Sequence, residues 1–573
     1  MSHRSFPRLV RGPLVPAFAP ALAPFIVLVA SSPACAQWVD QTATLFPTIS
    51  EYTNQLTIAD IDGDGDNDIV WANGGGYSSL GALLKPRIYI NSGTGKCTDE
   101  TDARALGITG CFRGVEAGDC DGDGDLDLVL AQDFNRRPLL LINNGAGVFS
   151  DQTVARLPNI AMSSARAQFA DVDNDGDLDL AFCNSGTTSR FASNGRPRLF
   201  LNDGNGVYAD APTAQFPSTN LAEQMDLIFG DVDGDLDLDM HIGTRGSGVN
   251  SSQLWINDGA GNFSKLTPFV TDAASYSYDF GDIDGDGDLD LLGANAGTSN
   301  QELLLRNGGN GTSWTNISSQ ISPNPSTDDN DSVFIDYDDD GDLDLLIGSL
   351  GASERLYRND GTGVFTQVTG VFPVISNATL DIKAADMNGD GKPDVITAQG
   401  EAGSFQNRIY INTGAADTRA PVVHLVEQVV AKGSGPFVVR TEVSDGITSD
   451  RGFDDDGVFL VYSVDGGKQR QVAMRWAGNG LWRGEIPAQD ACAGVSYFVR
   501  ALDRAGNAGT SAALSFTVPG SCGPVGDLDG NGAVDAADLA ILLNSWGGGG
   551  IADLDGSGTV DASDMSILLS NFG

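Results

Sequence analysis

One acidic nine-residue segment recurs seven times, and no other feature of the chain restricts its fold as tightly. The copies are DIDGDGDND (60–68), DCDGDGDLD (119–127), DVDNDGDLD (171–179), DVDGDLDLD (231–239), DIDGDGDLD (282–290), DYDDDGDLD (336–344) and DMNGDGKPD (386–394). Their starts lie 59, 52, 60, 51, 54 and 50 residues apart. A second motif follows each copy: RIYINSGTG (87–95), LLLINNGAGVF (139–149), RLFLNDGNGVY (198–208), QLWINDGAGNF (253–263), LLLRNGGNG (303–311), RLYRNDGTGVF (355–365) and RIYINTG (408–414). Self-similarity at such a period means that each copy is one supersecondary unit stacked on its neighbours.

Each repeat reads as four short strands. In the third they are Gln168–Ala170, Leu178–Phe182, Arg198–Leu201 and Val207–Tyr208. Asp-rich and Asn-Asp-Gly turns between them are hairpin chemistry. Four strands at about 50 residues, seven times over, predict a seven-bladed β-propeller; a parallel β-helix would use shorter turns. The last repeat stops at Ile411-Asn412-Thr413-Gly414 without its closing strand. Trp38-Val39-Asp40-Gln41-Thr42 matches Phe149-Ser150-Asp151-Gln152-Thr153, the missing piece, so the N-terminal strand is expected to complete the seventh blade and remove exposed sheet edges.

The acids point to calcium. A hard divalent cation takes six to eight oxygen ligands, and carboxylates at positions 1, 3, 5 and 9 converge if the loop turns sharply. Glycine at position 6 allows that turn, and the carbonyl at position 7 adds a ligand. The candidate ligands are Asp60, Asp62, Asp64 and Asp68; Asp119, Asp121, Asp123 and Asp127; Asp171, Asp173, Asp175 and Asp179; and Asp231, Asp233, Asp235 and Asp239. The remaining loops offer Asp282, Asp284, Asp286 and Asp290; Asp336, Asp338, Asp340 and Asp344; and Asp386, Asn388, Asp390 and Asp394. Leu236 replaces glycine in the fourth loop, which predicts a strained or altered turn there and a weak or empty site. The seventh keeps an oxygen donor in Asn388, and Lys392 at position 7 needs to offer only its carbonyl.

Charge supports this assignment. The seven motifs hold 34 acids and two C-terminal motifs hold eight more; without them the formal net charge of −44 falls to about −2. The acidity is therefore concentrated in candidate metal loops. An excess of 77 acids over 33 bases also argues against nucleic acid or an anionic membrane as partner.

The Phe-x-x-Asp-x-Asp-Gly-Asp-Gly-x-x-Asp-Leu pattern over residues 38–415 resembles the FG-GAP/VCBS repeat of integrin α-subunit propellers and many secreted bacterial proteins. The resemblance implies a seven-bladed propeller with calcium in the hairpin between the first two strands of a blade. In such blades the metal loops and Asn-Asp-Gly turns share one rim. Segments that differ between repeats (73–86, 132–137, 184–197, 244–252) share the other, where binding residues tend to sit. Tyr77, Phe134, Arg136, Arg137, Arg190 and Arg245 are the candidates there.

Three further segments flank the repeats. Residues 1–36 carry Arg4, Arg8 and Arg11, an apolar stretch ending Phe25–Ala30, and Ala34 and Ala36 before Gln37, the layout of a secretory signal peptide. Prolines at 13, 16, 20 and 24 leave that stretch short of the ~20 residues that span a bilayer, and no later transmembrane segment is evident. The propeller is assigned to 37–416. Residues 417–521 show about seven alternating strands, as in an immunoglobulin- or fibronectin-like β-sandwich, expected to act as a spacer.

Residues 522–573 carry DLDGNGAVDAAD (527–538) and DLDGSGTVDASD (553–564), EF-hand-like loops that offer Asp527, Asp529, Asn531, Asp535 and Asp538, and Asp553, Asp555, Ser557, Asp561 and Asp564. Each opens a short amphipathic helix with apolar faces Leu539, Leu542, Leu543, Trp546 and Met565, Leu568, Leu569, Phe572, expected to bury against each other. This duplicated loop–helix resembles a type I dockerin, which implies a cohesin-like partner. Its loops start 26 residues apart, and the partner-reading positions hold Ala536-Ala537 and Ala562-Ser563.

Export permits disulfides, and Cys97–Cys111 and Cys492–Cys522 are the expected pairs, with Cys120 and Cys183 as buried thiols. The whole predicts a mainly β, secreted or cell-surface calcium-binding protein with up to seven ions in the propeller and two in the tail. It would bind a protein or glycan, as in adhesion, and carry no catalytic residue. The alternative is an extracellular polysaccharide hydrolase or lyase. His241 and His424 are the histidines left after the leader, and no Gly-x-Ser-x-Gly or His-Glu-x-x-His motif is present.

Overall fold

A computed structural model describes residues 37–189, 194–218, 220–245, 251–270, 275–295, 300–376, 378–400, 403–448, 457–520 and 523–573. The predicted leader, Arg190 and Cys522 lie outside these residues.

The fold is mainly β, and each repeat makes one antiparallel sheet with its strands in chain order. The first sheet comprises Thr53–Ala59, Asp68–Asn73, Arg87–Asn91 and Cys97–Asp99; the third comprises Ala167–Ala170, Asp179–Phe182, Arg198–Asn202 and Tyr208–Asp210. The second strands are buried along their whole length, as Asp68–Asn73 and Asp344–Ser349 are, which accounts for their unbroken apolar runs. The sixth sheet gains a fifth strand, Ile321–Ser322, parallel to Phe365–Val368.

Thr379–Ala385, Asp394–Gln399 and Arg408–Asn412 form the last sheet of the series, and the N-terminal strand Trp38–Asp40 is its fourth strand. Trp38 pairs with Asn412, Val39 with Ile411 and Asp40 with Tyr410. Trp38 is fully buried and stacks on Phe372 at 4.7 Å, so this closure is a packed joint.

These propeller-like repeats adjoin in cyclic order. The first strand of each sheet touches the first strand of the next, and Thr379–Ala385 touches Thr53–Ala59. Seven apolar clusters each span two neighbouring sheets; Leu56, Ile58 and Trp71 share one with Ile396, Ala398 and Ile409.

Polar clasps stitch the first strands together along the axis. Gln55 accepts from Val115 N at 2.8 Å, Glu116 from Phe169 N at 2.8 Å and Asp226 from Tyr278 N at 2.7 Å. Asp279 accepts from Phe334 N at 3.0 Å, Asp331 from Ile382 N at 2.9 Å and Asp381 from Leu56 N at 2.8 Å.

Beyond the repeats lie two more sheets. Val422–Val426, Phe437–Ser444, Leu481–Ile486 and Arg475–Gly478 form one; Arg470–Ala473, Val458–Val464, Gly494–Leu502, Ala508–Thr510 and Leu514–Thr517 form the other. Val439, Leu460, Trp482 and Tyr497 are buried in the core they share.

The C-terminal helices are Ala536–Asn544 and Ala562–Ser570. Their predicted mutual burial is half met. Leu542 and Leu568 are buried with Val534 and Val560, whereas Leu543, Trp546, Leu569 and Phe572 are exposed.

The expected Cys97–Cys111 disulfide does not form; both are buried thiols outside any disulfide, as are Cys120 and Cys183. Cys97 opens the outer strand next to the third-to-fourth turn, whereas Cys111 precedes the inner strand Phe112–Gly118 at the opposite rim. Closeness in sequence is not closeness across a blade. Cys492 is disulfide-bonded.

Candidate metal centre

Each acidic loop connects a first strand to a second and is built around its first aspartate. In the first repeat, Asp60 accepts backbone N–H bonds from Gly63 at 2.8 Å, Asp64 at 3.2 Å and Gly65 at 2.8 Å. Asp231, Asp282 and Asp386 do the same in their loops. Position 5 accepts from the N–H of position 7, as Asp66 N donates to Asp64 at 3.0 Å. Position 9 is the buried floor. Asp68 accepts from Ile61 N at 3.4 Å and Asn91 N at 2.8 Å.

The result is convergence. One oxygen from each of Asp60, Asp62 and Asp68 lies within 4.8 Å of the other two. So do oxygens of Asp119, Asp121 and Asp127; Asp171, Asp173 and Asp175; Asp231, Asp233 and Asp239; and Asp282, Asp284 and Asp290.

Position 3 carries the decisive observation. Oδ1 of Asp62, Asp121, Asp173, Asp233, Asp284 and Asp338 is buried and has no hydrogen-bond partner. The other oxygen is engaged where an arginine reaches it: Arg104 on Asp62 at 2.8 Å, Arg156 on Asp121 at 3.0 Å, Arg306 on Asp284 at 3.0 Å and Arg358 on Asp338 at 2.8 Å. A buried carboxylate oxygen with no donor is costly unless a cation meets it. Six such atoms at one position of successive loops fit a metal-ligand set made wholly of oxygens. Burial also drives the position 9 carboxyls up, to about 8 for Asp68, Asp239, Asp344 and Asp394 and about 7 for Asp127 and Asp290, so without a cation these groups hold protons near neutrality.

The seventh loop differs at this point: Asn388 Oδ1 accepts from Asp390 N at 3.0 Å. In the C-terminal loops Asp527 repeats the position 1 pattern, accepting from Gly530, Asn531 and Gly532 N. Asp538 and Asp564 close capping boxes on their helices; the backbone N–H bonds they accept, first from Asp535 and Asp561 at 2.8 Å and then from Asp529 and Leu528 and from Asp555 and Leu554, hold both carboxyls below the ordinary range.

Leu236 is the main surprise. Its φ is +65°, so the fourth loop keeps the left-handed turn that glycine makes elsewhere, and its acids still converge. The turn is strained, as expected, but its path is not altered, and the side chain has a destination. Leu236 is 4% exposed, in a cluster with Ala477 and Leu481 from the two-sheet module. Asn174 and Asp339, at position 4 of their loops, also take positive φ, of 61° and 60°, and also touch residues C-terminal to the repeats. Arg440 donates to Asn174 at 2.8 Å, to Leu236 O at 2.9 Å and to Asp237 at 2.6 Å. Thr418 N donates to Asp339 at 3.0 Å, and Arg419 Nε to Asp339 O at 3.0 Å.

Further bonds run from Asp171 N to Ala477 O at 2.7 Å, Asn479 to Phe229 O at 2.7 Å and Asp336 N to Gly446 O at 2.6 Å. The module predicted to be a spacer is therefore seated on the metal-loop rim.

A second set of residues escaped the sequence reading, although it stood in the second motif. Asn91, Asn143, Asn202, Asn257, Asn307, Asn359 and Asn412 each donate a backbone N–H to the position 9 aspartate of their own repeat. Six side-chain amides also reach into the neighbouring repeat; Asn257 Nδ2 bonds Val172 O at 2.8 Å and Leu238 O at 3.1 Å. Their recurrence in all seven copies was the available signal.

On the opposite rim, Arg137 is spent on the carbonyls of Thr153, Leu157 and Pro158, and Arg136 on Gln132. Phe134, at φ +60°, lies under Arg113. Tyr77 and Arg245 meet Tyr276 at the mouth of the axis. His241 is a core residue against Tyr278, and burial pushes its pKa down to about 3. Nε2 of His424 is bonded to Ser444 Oγ at 2.6 Å.

Acidic loops of one design, repeated on propeller-like sheets and followed by two EF-hand-like loop–helix units, define a repeat protein whose acidic groups are positioned for metal binding through oxygen. A family model for the FG-GAP-like repeat matches residues 60–130, 119–182, 231–293, 282–347 and 336–397, together half of the chain, and a model for the dockerin type I domain matches 525–572. The chain belongs to the FG-GAP-like repeat family and ends in a dockerin type I domain. Dockerin domains bind calcium and typically bind cohesin partners, and both domain types are typical of extracellular proteins.

Two solved structures are similar over 67% of this chain at 10% identity. They are crystal structures of BBS1N in complex with ARL6DN, one soaked with lead (TM-score 0.40, 100% of that chain) and one with mercury (TM-score 0.43, 99%). No curated protein matches the chain. Among the described residues no helix is long and apolar enough to cross a membrane.

Proposed function

We propose that the chain is an exported calcium-binding protein of three modules: a closed seven-bladed propeller over 37–416, an immunoglobulin- or fibronectin-like sandwich over 417–521 and a dockerin over 522–573. Cyclic adjacency of the first strands and the pairing of Trp38–Asp40 with Arg408–Asn412 support the closed ring. The orphaned position 3 oxygens support calcium held by the aspartates at positions 1, 3, 5 and 9, with up to seven ions in the propeller and two in the tail.

The propeller binds a protein or glycan, and the dockerin attaches it to a cohesin-type partner. The observation that carries this reading is the seat of the sandwich. It covers the metal-loop rim, which leaves the rim of unlike loops facing outward, and binding functions sit on variable loops over a rigid frame. Calcium stabilises that frame by linkage.

The test is a screen of the calcium-loaded full chain against glycans and secreted proteins, repeated with chelator. A ligand that is lost with calcium supports the reading; turnover of a polysaccharide replaces it with an enzyme.

A further inference from the structure

We propose that the mouth of the axis at the rim of unlike loops is a sugar site that takes the terminal residue of a neutral glycan; this rests on the binding role proposed above. The axis holds two chambers that share Gln55, Arg166 and Asp331. The larger, of about 140 Å³, is lined at the sandwich end by Thr448, Trp476 and Asn479. The smaller, of about 80 Å³, lies at the rim of unlike loops.

Its walls carry the chemistry. Tyr77 and Tyr276 meet across the mouth with their hydroxyls 3.2 Å apart, and the Arg245 guanidinium stacks over the Tyr276 ring at 4.7 Å. The floor is Arg166, ion-paired to Asp226 at 3.1 Å and Asp381 at 3.8 Å. Ser277 and Asn330 are among the residues that line the same chamber; they are 3% and 4% exposed, and Ser277 Oγ and Asn330 Oδ1 have no hydrogen-bond partner.

Aromatic faces beside closely spaced donors and acceptors match a sugar ring, whose C–H face packs on tyrosine while its hydroxyls give and take hydrogen bonds. Charge bears on the choice within that class. Arg113, Arg166 and, at the mouth, Arg245 are matched by Asp226, Asp331 and Asp381, so neither sign is in excess and no net field favours an ionised sugar over a neutral one. Size selects too. A cavity of about 150 Å³ encloses benzene, so 80 Å³ accepts the edge of one sugar with the rest against the tyrosines. A protein partner would need a contact of about 800 Å² per side.

The experiment is calorimetric titration of the calcium-loaded full chain with neutral hexasaccharides of β-linked glucose, xylose and mannose, and with an acidic hexagalacturonate. At least one neutral probe is expected to bind one to one and the acidic probe not. Tyr276→Ala should weaken binding by about tenfold or more, while Tyr276→Phe stays within about threefold. Unchanged melting of both variants separates this effect from misfolding, and Ser277→Ala tests the unpartnered hydroxyl independently. Neutral sugar binding that ignores Tyr276→Ala, or preference for the acidic probe, overturns the site. A secreted protein whose binding is lost in Tyr77→Ala, with no sugar bound, removes the glycan but leaves the binding rim. No ligand of either kind removes both.

Discussion

Replacing Leu236 by glycine restores the residue that the six sister loops carry at that position, yet it should destabilise the protein. Two terms of opposite sign compete. A non-glycine residue at φ +65° carries a penalty of about 1–2 kcal/mol, which glycine relieves. Against this, removing a Leu side chain that is 4% exposed costs about 2–5 kcal/mol through lost burial and the cavity left among Leu238, Ala477 and Leu481. The net expectation for Leu236→Gly is a loss of about 1–3 kcal/mol. Leu236→Ala keeps the strain and should lose more.

The predicted order of stability is therefore parent, then Gly, then Ala. It is measured by urea unfolding at saturating calcium, with limited proteolysis of the 415–421 linker reporting whether the sandwich has come off its seat. Calcium content should not change, because the acids of this loop converge without help from the Leu236 side chain. A glycine variant as stable as the parent, or an alanine variant more stable than glycine, would refute the argument that this side chain is a docking anchor.

Asn257→Ala leaves Val172 O and Leu238 O without their amide donor and should cost about 1–3 kcal/mol in urea unfolding, with a lower melting temperature. Asp279 is buried, with its pKa raised to about 7, so between about pH 4 and 7 the native state holds more protons than the unfolded chain and stability falls as pH rises. Asp279→Asn should flatten that slope by up to about 1.4 kcal/mol per pH unit at saturating calcium; an unchanged slope would place the titration elsewhere. Thiol titration in denaturant without reductant should find Cys97, Cys111, Cys120 and Cys183 all reactive, and mapping a Cys97–Cys111 crosslink would contradict the blade geometry.

The repeat was legible because every copy restates the same turn chemistry, and a period survives inspection of one chain. The metal acids stood out for the same reason. What stayed hidden is not periodic. Leu236 looked like a flaw in the loop pattern, and Asn174 and Asp339 drew no notice, but their side chains serve contacts with a module far along the chain. The axial clasps were hidden differently. Asp226, Asp331 and Asp381 lie five residues before their loops, whereas Glu116 and Asp279 lie three before, so no single spacing marks them. The asparagines of the second motif were visible as turn residues, and only the sheet stacking shows that their amides cross to the next repeat. Half of each C-terminal helix face stayed exposed because two nine-residue helices cannot cover each other fully.

The central claim is that cations complete loops whose carboxylates are otherwise stranded. Elemental analysis of the purified chain, paired with melting before and after chelation, tests it most directly. The account predicts several bound calcium ions, up to nine, and a melting temperature that drops by at least about 10 °C with chelator and returns on adding calcium. A metal-free chain whose melting is indifferent to chelator would contradict it.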